Sequence, residues 1–245
     1  MLEGLRTAAA GMQAQQQKLN SVANDLANAN TNGYKRLRVG FADLLYEQGG
    51  RPTVSTDAQF GSGARVIQAG RTFEQGPLKS TGVMTDVALE GPGFIKVKLS
   101  DGRDGLTRDG DLHIDDTGSL VTSFGGTIPG IKIPQGLKDS ELAIQTDGTV
   151  LAKGQNIGKI QLVTVRSPHN LESVGDNAFV ASAASGNTIA APASTLLKQG
   201  TLEGSNTDMA QAMTDMIEVQ RSFQMTSKAI AAADQMMAIA NGVKR

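Results

Sequence analysis

The stretch Leu26–Arg36, LANANTNGYKR, decides how this chain is read. It closes a long amphipathic run and crowds Asn28, Asn30, Thr31, Asn32 and Gly33 into a few positions. Short polar side chains compete with the helical backbone for hydrogen bonds, and glycine accepts the positive φ with which many helices end. The expectation is a helix that stops at this cluster. Gly33 would terminate it, and Asn28, Asn30 and Asn32 would satisfy its last carbonyls.

Toward the N-terminus, Leu5, Met12, Leu19 and Leu26 recur at intervals of seven, with Ala8, Ala9, Val22 and Ala23 three or four residues on. This is heptad spacing, interrupted by Gln15 and Gln16, and it predicts a helix from Leu5 to Ala29. The other end of the chain mirrors it. Met209, Met216, Phe223, Ile230 and Met237 are spaced by seven, each followed three residues later by Ala212, Val219, Thr226, Ala233 or Ala240. Ser205 with Asp208 predicts a capping box and Asn241-Gly242 a stop. These nine large residues are the expected helix core: Leu5, Met12, Leu19, Leu26, Met209, Met216, Phe223, Ile230 and Met237.

Between the helices the period changes to two. In FIKVKL (94–99) Ile95, Val97 and Leu99 fall on one face and Lys96 and Lys98 on the other; DLHID (111–115), ELAIQ (141–145) and KIQLVTV (159–165) behave alike. Asp101-Gly102, Asp109-Gly110, Thr117-Gly118 and Asp147-Gly148 are turn pairs of the kind that close hairpins. The predicted fold is therefore α+β. N- and C-terminal helices (1–35 with 205–245) pair as a coiled coil, 36–64 is a linker and junction, and 65–200 is an all-β domain of short antiparallel strands. Residues 47–64 and 182–195 read as flexible, or as ordered only by their neighbours.

Composition sets limits on function. Hydrophobic residues are 39% but aromatics only 4%, with no Trp, which favours several thin units over one thick core. A formal net charge of −1 carries no footprint for nucleic acid or anionic lipid. Cys is absent, so no disulfide or thiolate chemistry is available. The N-terminus lacks the basic and apolar regions of a secretory signal, and no run approaches the ~20 apolar residues of a membrane span. The expectation is a protein soluble when made, with no direct membrane insertion; if it leaves the cytoplasm, it does so without a cleaved signal peptide.

Candidate chemistry has a plainer reading at each place. His113 and His169 have no ligands at metal-binding spacing around them. DGRDGLTRDGD (101–111) lacks EF-hand spacing and reads as successive hairpin turns. EGPGF (90–94) has no βαβ context for a dinucleotide fingerprint. Asp104, Asp109, Asp111, Asp115 and Asp116 read as turn chemistry rather than paired catalytic carboxylates. No catalytic residue, cofactor or metal is expected. Lys35, Arg36 and Arg38 in YKRLR are expected to pair with acidic neighbours such as Glu218 or Asp215.

Three motifs carry a resemblance. NSVANDLANANTNGYKR (20–36) resembles the N-terminal signature of the bacterial flagellar rod and hook proteins, with Asn24, Asn28, Thr31, Gly33, Tyr34 and Lys35 as the junction motif. DVALEGPGFIKV and LTRDGDLHIDDTGSLVTSFG (86–125) are similar to the family's central β motif, including its Thr-Arg-x-Gly and Gly-x-Leu-Val-Thr. LEGSNTDMAQAMTDMIEVQRSFQMTSKAIAAADQMM (202–237) resembles its C-terminal signature. FADLLYEQ (41–48) points to the distal-rod branch, whereas MTDMI (213–217) is reminiscent of the proximal subunits. The resemblance implies a structural subunit of a helical homopolymer, with an inner α layer around an export channel and an outer β layer. It implies contacts with other rod subunits and the hook protein, with ring bushing proteins in Gram-negative cells, and with the flagellar export apparatus. The location implied is the periplasmic rod of the basal body. A soluble coiled-coil adaptor and a β-domain cell-wall hydrolase are the competing readings from other classes.

Overall fold

A computed structural model describes residues 2–43, 46–48, 59–61, 64–134 and 141–242. The chain divides into two compact units: residues 1–27, 37–69 and 208–245 form one, and residues 28–36 and 70–207 the other.

The first unit is built on two helices. α1 spans Leu2–Ala27, followed by strands β1 (Leu37–Asp43), β2 (Tyr46–Gln48), β3 (Gln59–Gly61) and β4 (Ala64–Arg71). β1 pairs with β4, and β2 with β3. Apart from β2 and β3, residues 47–64 lie almost wholly outside the described residues, so the expected flexible linker there is not described. The C-terminal helix, named α2 below once the strands are given, packs against α1. α1 ends before Tyr34 and the C-terminal helix begins after Asn206, and the Asn206 N–H donates to the Tyr34 carbonyl at 3.4 Å. The two helices therefore run antiparallel.

The second unit is the β body predicted from the alternating runs. Its strands are β5 (Leu78–Ser80), β6 (Val87–Glu90), β7 (Phe94–Lys98), β8 (Asp104–Thr107), β9 (Leu112–Ile114), β10 (Leu120–Thr122), β11 (Leu142–Ile144), β12 (Thr149–Ala152) and β13 (Gln155–Lys159). They continue with β14 (Leu162–Thr164), β15 (Glu172–Gly175), β16 (Ala178–Val180), β17 (Ile189–Ala190), β18 (Leu196–Gln199) and β19 (Thr201–Glu203), after which comes α2 (Met209–Gly242). A six-stranded sheet runs β15-β16-β8-β7-β14-β17, and β11-β12-β13 form a second sheet. β18 pairs with β6, and β19 with β5. The ladders are antiparallel throughout the registers that define this unit.

β7 shows how alternation builds two cores. Ile95 and Val97 enter the larger cluster with Val87, Leu89, Leu120 and Leu197. Phe94, on the lysine-bearing face, enters a second cluster with Leu106, Val165 and Phe179. There Phe73 meets Phe94 and Phe179 edge-on, with centroids 5.1 and 5.2 Å apart. Edge-to-face geometry suits the ring quadrupoles. Three of the nine aromatic residues meet in this cluster.

Four local expectations are corrected. α1 ends at Ala27, so Gly33 is not its terminating residue; it lies in the turn beyond. Asp101-Gly102, Thr117-Gly118 and Asp147-Gly148 do make tight turns, their glycines at φ +84°, +74° and +88°, but Asp109-Gly110 does not. Asp109 is buried there, and a Cβ on Gly110 would lie 1.6 Å from the Val87 carbonyl oxygen, so this glycine serves close packing. Residues 182–195 are built in rather than loose: Ser185 is fully buried, and β17 pairs with β14. Finally, Asp208 alone caps α2, accepting from the N–H groups of Ala210 and Gln211, whereas Ser205 caps Thr207.

Candidate functional site

Two places collect the residues singled out above: the faces of the helix pair, and the loop of residues 28–36 with the segments that hold it.

On the helices, Leu5, Met12, Leu19 and Leu26 are half-buried, as are Met216, Phe223, Ile230 and Met237, while Met209 is exposed. The deepest positions are smaller: Ala14 and Val22 on α1, Ala212 and Val219 on α2. Small side chains allow two helix backbones to approach closely, which leaves the long ones along the margins of the seam. Other apolar side chains of α2 are open, interspersed with exposed polar ones such as Arg221 and Lys228. Met213, Ile217, Met225, Met236 and Ile239 are between 49% and 67% exposed. Asp25, the one buried carboxylate of α1, accepts the Leu37 N–H at 3.1 Å and so ties β1 to the helix.

The loop after α1 first turns on Asn28 and Thr31, with the Thr31 N–H on the Asn28 carbonyl and the Thr31 hydroxyl on its side chain. Asn24 is exposed on the last turns of α1. Asn32 presents its carbonyl to the Asn177 amide at 2.9 Å. Gly33 then adopts φ +68° against the Arg108–Asp109 backbone, where a Cβ would come within 2.7 Å of the Asp109 nitrogen. Its N–H donates to the Glu203 carbonyl at 2.8 Å. Tyr34 and Lys35 follow, both buried, with the Arg71 guanidinium 5.3 Å over the Tyr34 ring and donating to the Lys35 carbonyl.

Lys35 is the centre of this site. It does not meet Glu218 or Asp215 as expected; its Nζ donates to Glu203 Oε1 at 2.6 Å and to the Glu74 carbonyl at 2.7 Å. The carboxylate of Glu203 also accepts Arg108 Nη1 at 3.2 Å and the Gly76 N–H at 2.9 Å. Arg108 spends its remaining donors on the carbonyls of Gly93 and Gly91. Three charges are thus buried together, with their hydrogen-bonding capacity directed at one another and at backbone. Burial pulls the Lys35 ammonium below the usual lysine range, and Glu203 partly restores it. Beside this cluster Asn206 accepts the Arg36 N–H and donates to the carbonyls of Thr72 and Glu74. One amide therefore joins three passages of chain.

Sequence reading gave no structural role to Glu203, Arg108, Asn206 or Asp25. The available signal was charge inside otherwise apolar or small-residue runs, Glu203 in TLEGSN and Arg108 in GLTRDG. The acidic residues of 101–116 are dispersed: Asp104 pairs with Lys96, Asp101 with Arg103, and Asp109 accepts from Ser123 and the Asp111 N–H. His113 is exposed on β9, and exposed His169 places Nδ1 2.8 Å from the Arg71 carbonyl.

The two ends of this chain form one helix pair that leaves apolar side chains exposed, and its middle is a β body that holds residues 28–36 by buried charge, features that suit a subunit packed into a larger structure. Three family models match it in order: "Flagella basal body rod protein" over residues 5–35, "Flagellar hook protein FlgE/F/G D1 domain" over 88–152, and "Flagellar basal body rod FlgEFG protein C-terminal" over 198–243. It is similar along its whole length to the flagellar basal-body rod protein FlgG of Borreliella burgdorferi, with 39% identity and both chains fully covered. The FlgG of Caulobacter vibrioides is 38% identical over 96% of this chain and 97% of its own. That of Bacillus subtilis is 33% identical over the full length of both. The chain belongs to the flagellar basal-body rod family and is a structural subunit of the flagellar rod. Among the described residues no helix is long and apolar enough to cross a membrane.

Proposed function

We propose that this chain is a distal-rod subunit that polymerises with copies of itself into a helical tube, carrying motor torque to the hook and enclosing the export channel. The observation that carries this reading is the set of large apolar side chains left open on α2. Met213, Ile217 and Met225 are spaced by four and eight residues, along one ridge of the helix, and remain exposed although the helix already packs on α1. Apolar area of a few hundred Å² buried per neighbour, at ~25 cal/mol per Å², gives several kcal/mol gross per contact. Contacts repeated head to tail produce an open filament rather than a closed ring. The full-length likeness to FlgG proteins supports the distal position.

The residues Leu5, Met12, Leu19, Leu26, Met209, Met216, Phe223, Ile230 and Met237 then form the helical core shared within and between subunits. The motif Asn24, Asn28, Thr31, Gly33, Tyr34 and Lys35 marks the passage from inner helix to outer β layer. The partners are further copies, the other rod subunits, the hook protein, ring bushing proteins in Gram-negative cells and the export apparatus, which the chain enters without a cleaved signal. The role is mechanical, not enzymatic. Leu26→Asp and Phe223→Asp each place a charge in the helix core and are expected to abolish motility and rod assembly in a strain lacking the native subunit. Wild-type swimming with either variant overturns the assignment.

A further inference from the structure

The two apolar clusters of the β body are made entirely of residues between Phe73 and Leu197. The strap of residues 28–36 supplies no side chain to either. It is held by polar contacts: Asn32 on Asn177, Gly33 on the Glu203 carbonyl, Lys35 on Glu203 and Glu74, and Arg36 on Asn206 and Thr72. Without the strap the buried carboxylate still has a full partner set, because Arg108 and the Gly76 N–H come from the body itself. Glu203 and Arg108 neutralise each other; Lys35 is the extra charge, buried with only the exposed Glu74 carboxylate to add to its field. Desolvating a charge is costly unless paired, and Lys35, 2.6 Å from Glu203, shares that one carboxylate with Arg108 at 3.2 Å.

We infer that the Lys35–Glu203–Arg108 cluster is a latch: the strap closes last onto a finished β body and opens from it without unfolding that body. The latch is keyed by the carboxylate rather than by the lysine. Removing the negative charge of Glu203 leaves Lys35 and Arg108 facing one another without their shared counter-charge, a repulsion that favours strap release. Removing the charge of Lys35 leaves a neutral pair beneath an apolar stem. The latch also links the three stretches matched by the family models, since Lys35, Arg108 and Glu203 fall one in each. A subunit with its strap open keeps its outer body intact while the chain leading to α1 is released.

The test is hydrogen exchange of the full-length wild-type protein across low denaturant concentrations, read by mass spectrometry. The amides of Gly33, Arg36 and Thr72 are expected to exchange together through a sub-global opening, at least tenfold faster than core amides such as Lys96 and Ile128. Exchange of both groups in one global step overturns the latch. Two variants read the key. Glu203→Gln is expected to speed trypsin cleavage after Arg36 at least tenfold with core exchange unchanged, whereas Lys35→Met leaves cleavage there at or below the wild-type rate. Equal opening by both variants, or opening by Lys35→Met alone, overturns it. Should Glu203→Gln not fold, the wild-type exchange pattern still decides.

Discussion

Gly33 is a place where a single added atom has large leverage. A left-handed conformation costs an L-residue about 1–2 kcal/mol, and here a Cβ would also press on the Asp109 backbone. Gly33→Ala is expected to lower unfolding stability by at least ~2 kcal/mol, read as a shift in urea midpoint with unchanged slope. Asp109 shows the opposite sign. Burial raises its carboxyl above the usual 3.8, against the opposing bonds from Ser123 and Asp111. The folded protein then holds that proton more tightly than the unfolded chain, so stability falls as pH rises through the raised value and is regained below 3.8. Asp109→Asn is expected to remove that segment of the pH profile and to match or exceed wild type at pH 7, in urea titrations from pH 4 to pH 7. Exposed Asp147 runs the other way: the Thr149 N–H and hydroxyl, then Lys159, hold it down to about 2, so its contribution is present above 3.8 and lost on acidification through about 2. The positive φ of Gly33 and the Asp147-Gly148 turn were legible in the sequence, but the burial of Asp109 and the partners of Lys35 were not. Lys35 and Glu203 are 168 positions apart, and a pairing at that separation leaves no periodic trace.

At the scale of elements, patterning carried further. Period seven located both helices, and period two located the strands at 94–98, 112–114, 142–144 and 162–164. What periodicity lacked was depth. It marks a stripe but not which member lies at the bottom, and the bottom is occupied by Ala212 and Val219 rather than by the larger Met216 and Phe223. Helix starts were similarly half legible. Ser205 and Asp208 both have capping chemistry, and only geometry assigns α2 to Asp208. Asp208→Ala is expected to cost ~1 kcal/mol and to fray the first turn of α2, seen as faster amide exchange at Ala210 and Gln211. Ser205→Ala should leave those two amides unchanged.

For the whole molecule, the resemblance read from three motifs and the comparison with FlgG proteins agree on the family. The methionine run of the C-terminal helix, Met213, Met225 and Met236 included, reads in the sequence as core packing. Burial instead leaves these three, with Ile217, on the exposed side of the helix. Met236→Asp with Ile239→Asp, near the far end of that face, is expected to leave the monomer's melting temperature within a few degrees, because both residues are exposed. Filament formation should fail, and sedimentation of assembled rods against free subunit measures it.

The unequal length of the two helices has a mechanical corollary. α2 has 34 residues against 26 for α1, an excess of about 12 Å at 1.5 Å per residue. Subunits stacked with unequal staves break joint, like courses of masonry. No flat seam then crosses the shaft, and twisting it must drag one stave lengthwise along another instead of parting them at a plane. Rigidity in such a column grows with the length of overlap, so trimming the last turns of α2 should soften the shaft before it shortens it.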